Sequence, residues 1–239
     1  MKIEIFRESG FVSYERELKD ITLLKFLEEI KTKEDNSLAF SSGCRSSVCG
    51  SCAVRVNGKE VLACSYKVKD GDKVEPLKNC EVLRDLAVNM DKAYSFNAKA
   101  KAWMQEHTST QGITQDDEKR NEIQSDCILC SSCYSACPVY SVNESFLGPF
   151  ALTRSWKYVT DKRQDEEYEK IEAVQNSGIW DCTLCNECTV VCPQGISSKA
   201  DIEKLRAKSA AHGFMDPNFG SFGGGFGGFG GGFDGSPVF

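Results

Sequence analysis

Residues 127–138 read CILCSSCYSACP and residues 182–193 read CTLCNECTVVCP, so the chain writes C-x2-C-x2-C-x3-C-P twice. Four thiols at this density, repeated, constrain the fold more than any hydrophobic pattern can. Each run must wrap something compact, because its cysteines are too close in sequence to serve separate structural elements. The proline that ends each run offers no amide donor and turns the backbone away. A third group, Cys44, Cys49 and Cys52 followed by Cys64, has the spacing C-x4-C-x2-C-x11-C. Of 13 cysteines, Cys80 alone stands outside these groups, and it reads as a small buried hydrophobe. Disulfides are rare in the cytosol, so clustered thiols there point to metal.

The C-x2-C-x2-C-x3-C-P run is the bacterial ferredoxin pattern, in which the fourth cysteine of each run ligates the other cluster. Two copies therefore close two cubes reciprocally. The expected sets are Cys127, Cys130, Cys133 with Cys192, and Cys182, Cys185, Cys188 with Cys137. The first group matches the plant-type spacing around a 2Fe–2S cluster, with Cys44, Cys49, Cys52 and a more distant Cys64 as ligands. Gly43, Gly50 and the small Ser46, Ser47 and Ser51 allow backbone N–H groups to approach the sulfurs. Structural zinc is the alternative for all three groups, but it favours paired C-x2-C arms, and C-x4-C fits poorly. The chain has only two histidines, His107 and His212, so mixed Cys/His zinc sites and Rieske centres are poorly supplied.

Other chemistry is sparse. No GxSxG, phosphate-binding glycine loop or HExxH occurs, so the chain is expected to carry electrons and perform no bond chemistry itself. A net charge of −6, with lysine and arginine scattered among acids, does not suggest a nucleic-acid surface. No apolar run approaches the roughly 18 residues of a spanning helix, and MKIEIFRESG lacks the apolar core of a secretory signal. The expectation is a chain made and folded in the cytosol, held at any membrane by a partner.

The rest of the sequence divides into an α+β arrangement. Residues 1–105 are expected to form a β-grasp 2Fe–2S domain. Its signals are alternating strands at IEIFR and SYERELK and a helix over LLKFLEEI capped by Thr22 or Asp20. A hairpin AVRV-NG-KEVLAC follows, turning at Asn57-Gly58, then a turn and strand at DGDKVEPL. From Cys80 to Glu106 the spacing of Val82, Leu86 and Met90 reads as helical, and HTSTQGITQDDEKRNEIQ as a polar surface connection. Residues 106–216 are expected to be an all-helical two-cluster domain, with helices at ALTRSWKYVT, DEEYEKIEAV and ADIEKLRAKSAA. Residues 217–239 form a Gly/Phe-rich segment that is expected to be a flexible tail, since glycine at this density has little to bury. Its spaced phenylalanines leave docking on a partner as the alternative.

This order of domains resembles the iron–sulfur subunit of succinate dehydrogenases and fumarate reductases. The likeness covers residues 1 to about 212 and includes CRSSVCGSCAVRVNGKEVLAC, VEPLKNCEVLRDLAV, LGPFAL and VVCPQGI. The resemblance implies a partner flavoprotein with covalent FAD that interconverts succinate and fumarate. It also implies a third subunit, linked to quinone, with electrons passing between it and the flavoprotein through this chain. Two departures mark a variant. Familiar members lack a cysteine at the place of Cys185 and keep a 3Fe–4S cluster there; here the set is complete, implying one 2Fe–2S and two 4Fe–4S clusters. If Cys185 is not a ligand, the last is 3Fe–4S. The paired tryptophans and the histidine of the familiar quinone pocket are replaced by Ser141, Val142 and Thr183. The likeness is thus closer to variants with three all-cysteine clusters and a cysteine-rich third subunit in place of a haem-bearing membrane anchor. Alternatives are the iron–sulfur subunit of a thiol-driven fumarate reductase and an electron-transfer adaptor of another flavin dehydrogenase. Association with the membrane through partners is expected on the cytoplasmic side, or on the periplasmic side if the chain is co-exported with its flavoprotein.

Overall fold

A computed structural model describes residues 1–17, 20–105, 112–165 and 167–217. Residues 218–239 of the expected flexible tail (217–239), and His107, lie outside the described residues.

Alternation of apolar residues in KIEIFR puts Ile3 and Ile5 on one buried face, and the strand they make is an interior one of the first sheet. The strands β1 (Lys2–Arg7) and β2 (Gly10–Glu15) form an antiparallel pair. Helix α1 (Leu23–Lys33) follows, its first turn capped by the Thr22 hydroxyl, which accepts from the Lys25 amide. Leu23, Phe26, Leu27 and Ile30 of α1 lie at helical spacing and pack on the sheet. Strands β3 (Ala53–Val56) and β4 (Lys59–Leu62) make the hairpin, with Asn57 and Gly58 both at positive φ as the two-residue turn demands. Strand β5 (Lys73–Glu75) pairs parallel with β1 and antiparallel with β3, completing the order β2-β1-β5-β3-β4.

The segment expected to be helical from Cys80 is instead a second hairpin, β6 (Glu81–Arg84) and β7 (Ala87–Asn89). The cause is distant in sequence. Asp85, left-handed at the turn, is buried and accepts from Arg7 Nε at 2.9 Å and from the Ala39 amide at 2.8 Å. Arg7 also pairs with Asp35 and donates to Tyr14. These partners raise its pKa even though burial works against the charge.

The helix begins only at α2 (Asp91–Lys99), whose Ala93 and Phe96 belong to a second core. Within the polar connection, α3 (Gln115–Lys119) starts in a capping box made by Thr114 and Asp117, and α4 (Glu122–Ser125) follows. The second core is closed by α5 (Ser132–Ser135), α6 (Pro138–Val142), α7 (Pro149–Val159), α8 (Tyr168–Ala173), α9 (Glu187–Val190) and α10 (Ser198–Ala211). At its centre Tyr134, fully buried, meets Phe96, Tyr140 and Phe150 and donates its hydroxyl to the Leu147 carbonyl. The Gly148 backbone passes so close that a Cβ there would sit 2.1 Å from Tyr134 Cε1. Lys170 is fully buried, and its ammonium donates to the carbonyls of Lys101 and Trp103 at 3.1 and 2.7 Å, tying α8 to the segment after α2. Among the described residues, no helix is long and apolar enough to cross a membrane.

Candidate metal centre

The repetition in sequence is a repetition in backbone. In the first run Leu129 and Ser131 are left-handed (φ 53° and 61°); in the second, Leu184 and Asn186 take the same places (φ 56° and 73°). Such alternation turns successive N–H groups inward as a nest for negative charge. Each nest is followed by a single-turn helix, α5 or α9, that carries the third cysteine. The Leu184 amide donates to Cys182 Sγ at 3.4 Å, and the fourth cysteines accept likewise: Cys137 from Tyr140 and Cys192 from Ile196, both at 3.4 Å. The loop around Cys44 uses the same device, with Arg45, Ser47 and Gly50 left-handed. There the amides of Ser46 and Val48 donate to Cys44 Sγ at 3.3 and 3.4 Å, and Cys44 N–H to Cys49 Sγ at 3.3 Å. The Ser47 hydroxyl lies 3.5 Å from Cys64 Sγ.

The fold brings the two runs across one another. Cys127, Cys130 and Cys133 line one cavity together with Cys192, alongside Ile128, Phe150 and Ile196. Cys137, in turn, has Cys182, Cys185 and Cys188 as its electrostatic neighbours. Burial pushes up the thiols of Cys127, Cys130, Cys133, Cys137 and Cys182, and that of Cys188 to about 12. Cys52 is likewise raised to about 11, whereas the Ser46 amide and its neighbours bring exposed Cys44 down to about 6. Buried thiols pressed together ionise only when cationic metal takes the place of the proton. Among the described residues, no three Cys, His, Asp or Glu side chains converge closely enough to hold a single ion. Thiols spread around a cavity lined by nests of N–H groups suit a multi-atom cluster with sulfide corners better than one zinc ion.

The first loop and the first run touch. A Cβ on Gly50 would lie 2.6 Å from Cys130 Cβ, so the glycine, at φ +72°, is what allows the two backbones to meet. Gln194 Nε2 donates to the Ser47 carbonyl at 3.1 Å across the same seam. Beside it the VEPLKN segment docks. Asn79 Nδ2 points at the carbonyls of Tyr134, Ser135 and Cys137 at 3.0, 3.1 and 3.4 Å, capping α5 from the other core. The Ser135 hydroxyl accepts from the Lys78 amide and donates to Glu60. Sequence reasoning missed Asn79 as a bridge; the family likeness of VEPLKN was the one signal that pointed to it. Arg206 of α10 plays a related part at the second run, donating to the carbonyls of Ile179, Trp180 and Cys182.

Exposure differs along the row of cysteines. Cys44 and Cys185 face solvent, while Cys52, Cys130, Cys137 and Cys188, at least one from each set, are buried. Val48 near one end, and Val190 and Val142 near the other, are 66%, 73% and 85% exposed. Ser141 and Thr183 are exposed as well. Cys80 is half-buried, packed on the first core, with burial raising its thiol to about 11.

Comparison with known proteins agrees with this layout. Residues 5–95 match the family described as a 2Fe-2S iron-sulfur cluster binding domain, and residues 123–196 match the 4Fe-4S dicluster domain. The chain is 35% identical to the 8-methylmenaquinol:fumarate reductase iron-sulfur subunit of Wolinella succinogenes, with 89% of this chain and 74% of that one aligned. It is 33% identical to the fumarate reductase iron-sulfur subunit of Mycobacterium tuberculosis, over 93% of this chain and 94% of the other. In fold it is similar to a chain of the Mycobacterium smegmatis Sdh1 complex in the apo form. There the TM-score is 0.79 at 22% identity, covering 90% of this chain and 98% of that one. A 2Fe–2S domain followed by a 4Fe–4S dicluster domain, with relatives of this identity along nearly the whole chain, places the protein in the family of succinate dehydrogenase and fumarate reductase iron–sulfur subunits, the electron-transfer subunits of those complexes.

Proposed function

We propose that this chain conducts electrons through three clusters: a 2Fe–2S held by Cys44, Cys49, Cys52 and Cys64, and two 4Fe–4S. The first 4Fe–4S is held by Cys127, Cys130, Cys133 and Cys192, the second by Cys182, Cys185, Cys188 and Cys137. The observation that carries the reading is the contact of Gly50 with Cys130, together with the exchange of fourth cysteines between the two runs. Both support a reading in which the three cysteine sets follow one another in a row. Such clusters supply one-electron chemistry at potentials set by their surroundings. The residues of the chain hold them, turn N–H groups toward their sulfurs and exclude water from the middle one.

On this reading the exposed Cys44–Val48 loop faces an FAD-bearing flavoprotein that acts on succinate or fumarate. The exposed edge around Cys185, Val190 and Val142 faces a third subunit that is cysteine-rich or a membrane anchor, with quinone beyond it. The domains run over 1–105 and 106–216, and the complex sits at the membrane through its partners, on the cytoplasmic side. Co-purification of the chain with its partners, followed by anaerobic iron and sulfide analysis, tests the proposal. About ten irons per chain are expected (two, four and four). About four irons, or stoichiometric zinc, sinks it, and a cross-link from Thr183 to the flavoprotein overturns the order.

A further inference from the structure

The two cysteine runs share a backbone but not a polar environment, and the difference lies at Ser131. This residue is fully buried, and its hydroxyl has no hydrogen-bond partner among the described residues. It lines the cavity shared by Cys127, Cys130, Cys133 and Cys192. Its carbonyl is taken by the amides of Tyr134 and Ser135 at 3.1 and 3.0 Å, but the side chain does not cap that helix. A buried hydroxyl left unpaired costs about 1–3 kcal/mol, so such a group calls for an acceptor. The equivalent residue of the second run, Asn186, has the same left-handed backbone and is exposed. Of the neighbouring hydroxyls, that of Ser132 accepts from Cys130 Sγ at 3.4 Å, while that of Thr153, on the same cavity wall, is also without a hydrogen-bond partner among the described residues and has the buried carboxyl of Asp201 beside it.

We propose that the Ser131 hydroxyl donates a hydrogen bond to a sulfur of the cluster in this cavity and raises that cluster's reduction potential above the value its four thiolates alone would set. A reduced cluster carries one more negative charge, so a donor aimed at its sulfur stabilises the reduced state more than the oxidised one. The middle position of the row, being the most buried, is where desolvation most disfavours the extra electron, and a donor there offsets part of that penalty. The inference rests on the proposed 4Fe–4S occupancy of this cavity.

The test is a potentiometric titration, followed by electron paramagnetic resonance, of the full chain purified anaerobically with its clusters and its partner subunits. Ser131→Ala and Ser131→Gly both remove the hydroxyl; glycine also relieves the left-handed backbone, so it guards against a variant that fails for reasons of folding. At a poise where half of the wild-type cluster is reduced, both variants should show the reduced-to-oxidised ratio of one 4Fe–4S couple lowered by about tenfold, equivalent to about 59 mV for a one-electron couple. The 2Fe–2S couple should stay in place. An unchanged ratio in both variants overturns the inference, and so does a shift in Ser131→Ala alone, which would trace to backbone strain. A wild-type protein with no 4Fe–4S signal at all would instead defeat the proposed function on which the inference stands.

Discussion

Asp201 is an ionisable side chain buried in the second core with little to hold its charge. It is 1% exposed, Gln124 donates to one oxygen at 2.8 Å, and the Lys204 ammonium comes no nearer than 4.0 Å. Burial pushes its carboxyl up to about 6. The folded protein therefore keeps a proton that the unfolded chain, titrating near 4, has already released. Stability from this residue is present below about pH 4 and is lost as the pH rises through about 6. Asp201→Asn should be more stable than the parent at pH 7, on the order of 2 kcal/mol, with the gap closing at pH 4. Urea unfolding at the two pH values measures it, and an equal gap at both would refute the assignment. Gly148 poses the opposite problem, of space rather than charge. Its positive φ and the Tyr134 ring 2.1 Å from any Cβ mean that Gly148→Ala should lower stability by about 3 kcal/mol, read as a fall in thermal midpoint.

At the scale of elements, short helices too small to stand alone depend on contacts from elsewhere. Helix α5 has four residues, and its last carbonyls are met by Asn79 from the other core. Asn79→Ala should cost about 1–3 kcal/mol, and Asn79→Asp more, since a carboxylate cannot donate to those carbonyls. Hydrogen exchange should show α5 amides losing protection in both variants; a loss spread evenly over the chain would argue against a local cap. The same elements show what the sequence could reveal. The paired cysteine runs were legible because a cluster motif is local: its spacing and its left-handed residues are complete within twelve positions. The Asn57-Gly58 hairpin and the Thr22 cap were legible for the same reason. The hairpin over 81–89 was not. Val82, Leu86 and Met90 imitate a helical period, while the turn is held at Asp85 by Arg7, 78 positions away. Asn79 and Ser131 were hidden likewise, since neither the carbonyls that one meets nor the cavity that the other lines can be read from its neighbours in the chain.

For the whole molecule, the exposure of one cysteine in each end set, and of none in the middle one, sets the expectations. Cys185 lies at an exposed end, at the place where familiar members of the family lack a cysteine and keep a 3Fe–4S cluster. With the cysteine present, oxidised protein prepared anaerobically should lack a stoichiometric 3Fe–4S resonance, and Cys185→Ile should produce one. A full-strength signal in the unmodified protein would show Cys185 to be a bystander. Among the described residues both cores close no later than Phe214, and the glycine-rich composition beyond offers little to bury, so cutting the chain after Phe219 should leave iron content and thermal midpoint nearly unchanged. Loss of the third subunit on truncation would reveal the phenylalanines as a docking element.

The sharing of one cavity by Cys192 and the residues 127–133 also has a consequence for synthesis. A ribosome delivers the chain from its amino end, and every ligand proposed for the 2Fe–2S site has emerged once residue 64 is clear. The dicluster half has no such early stage. The first run waits for Cys192, and the second run follows so late that both cubes become completable within the same few residues of elongation. Maturation is thus expected in two instalments, with the amino-terminal site fillable early on a nascent chain and the other two filled together only once Cys192 has been delivered. Ribosome-bound chains stalled near residue 150 should accept a 2Fe–2S cluster and no other.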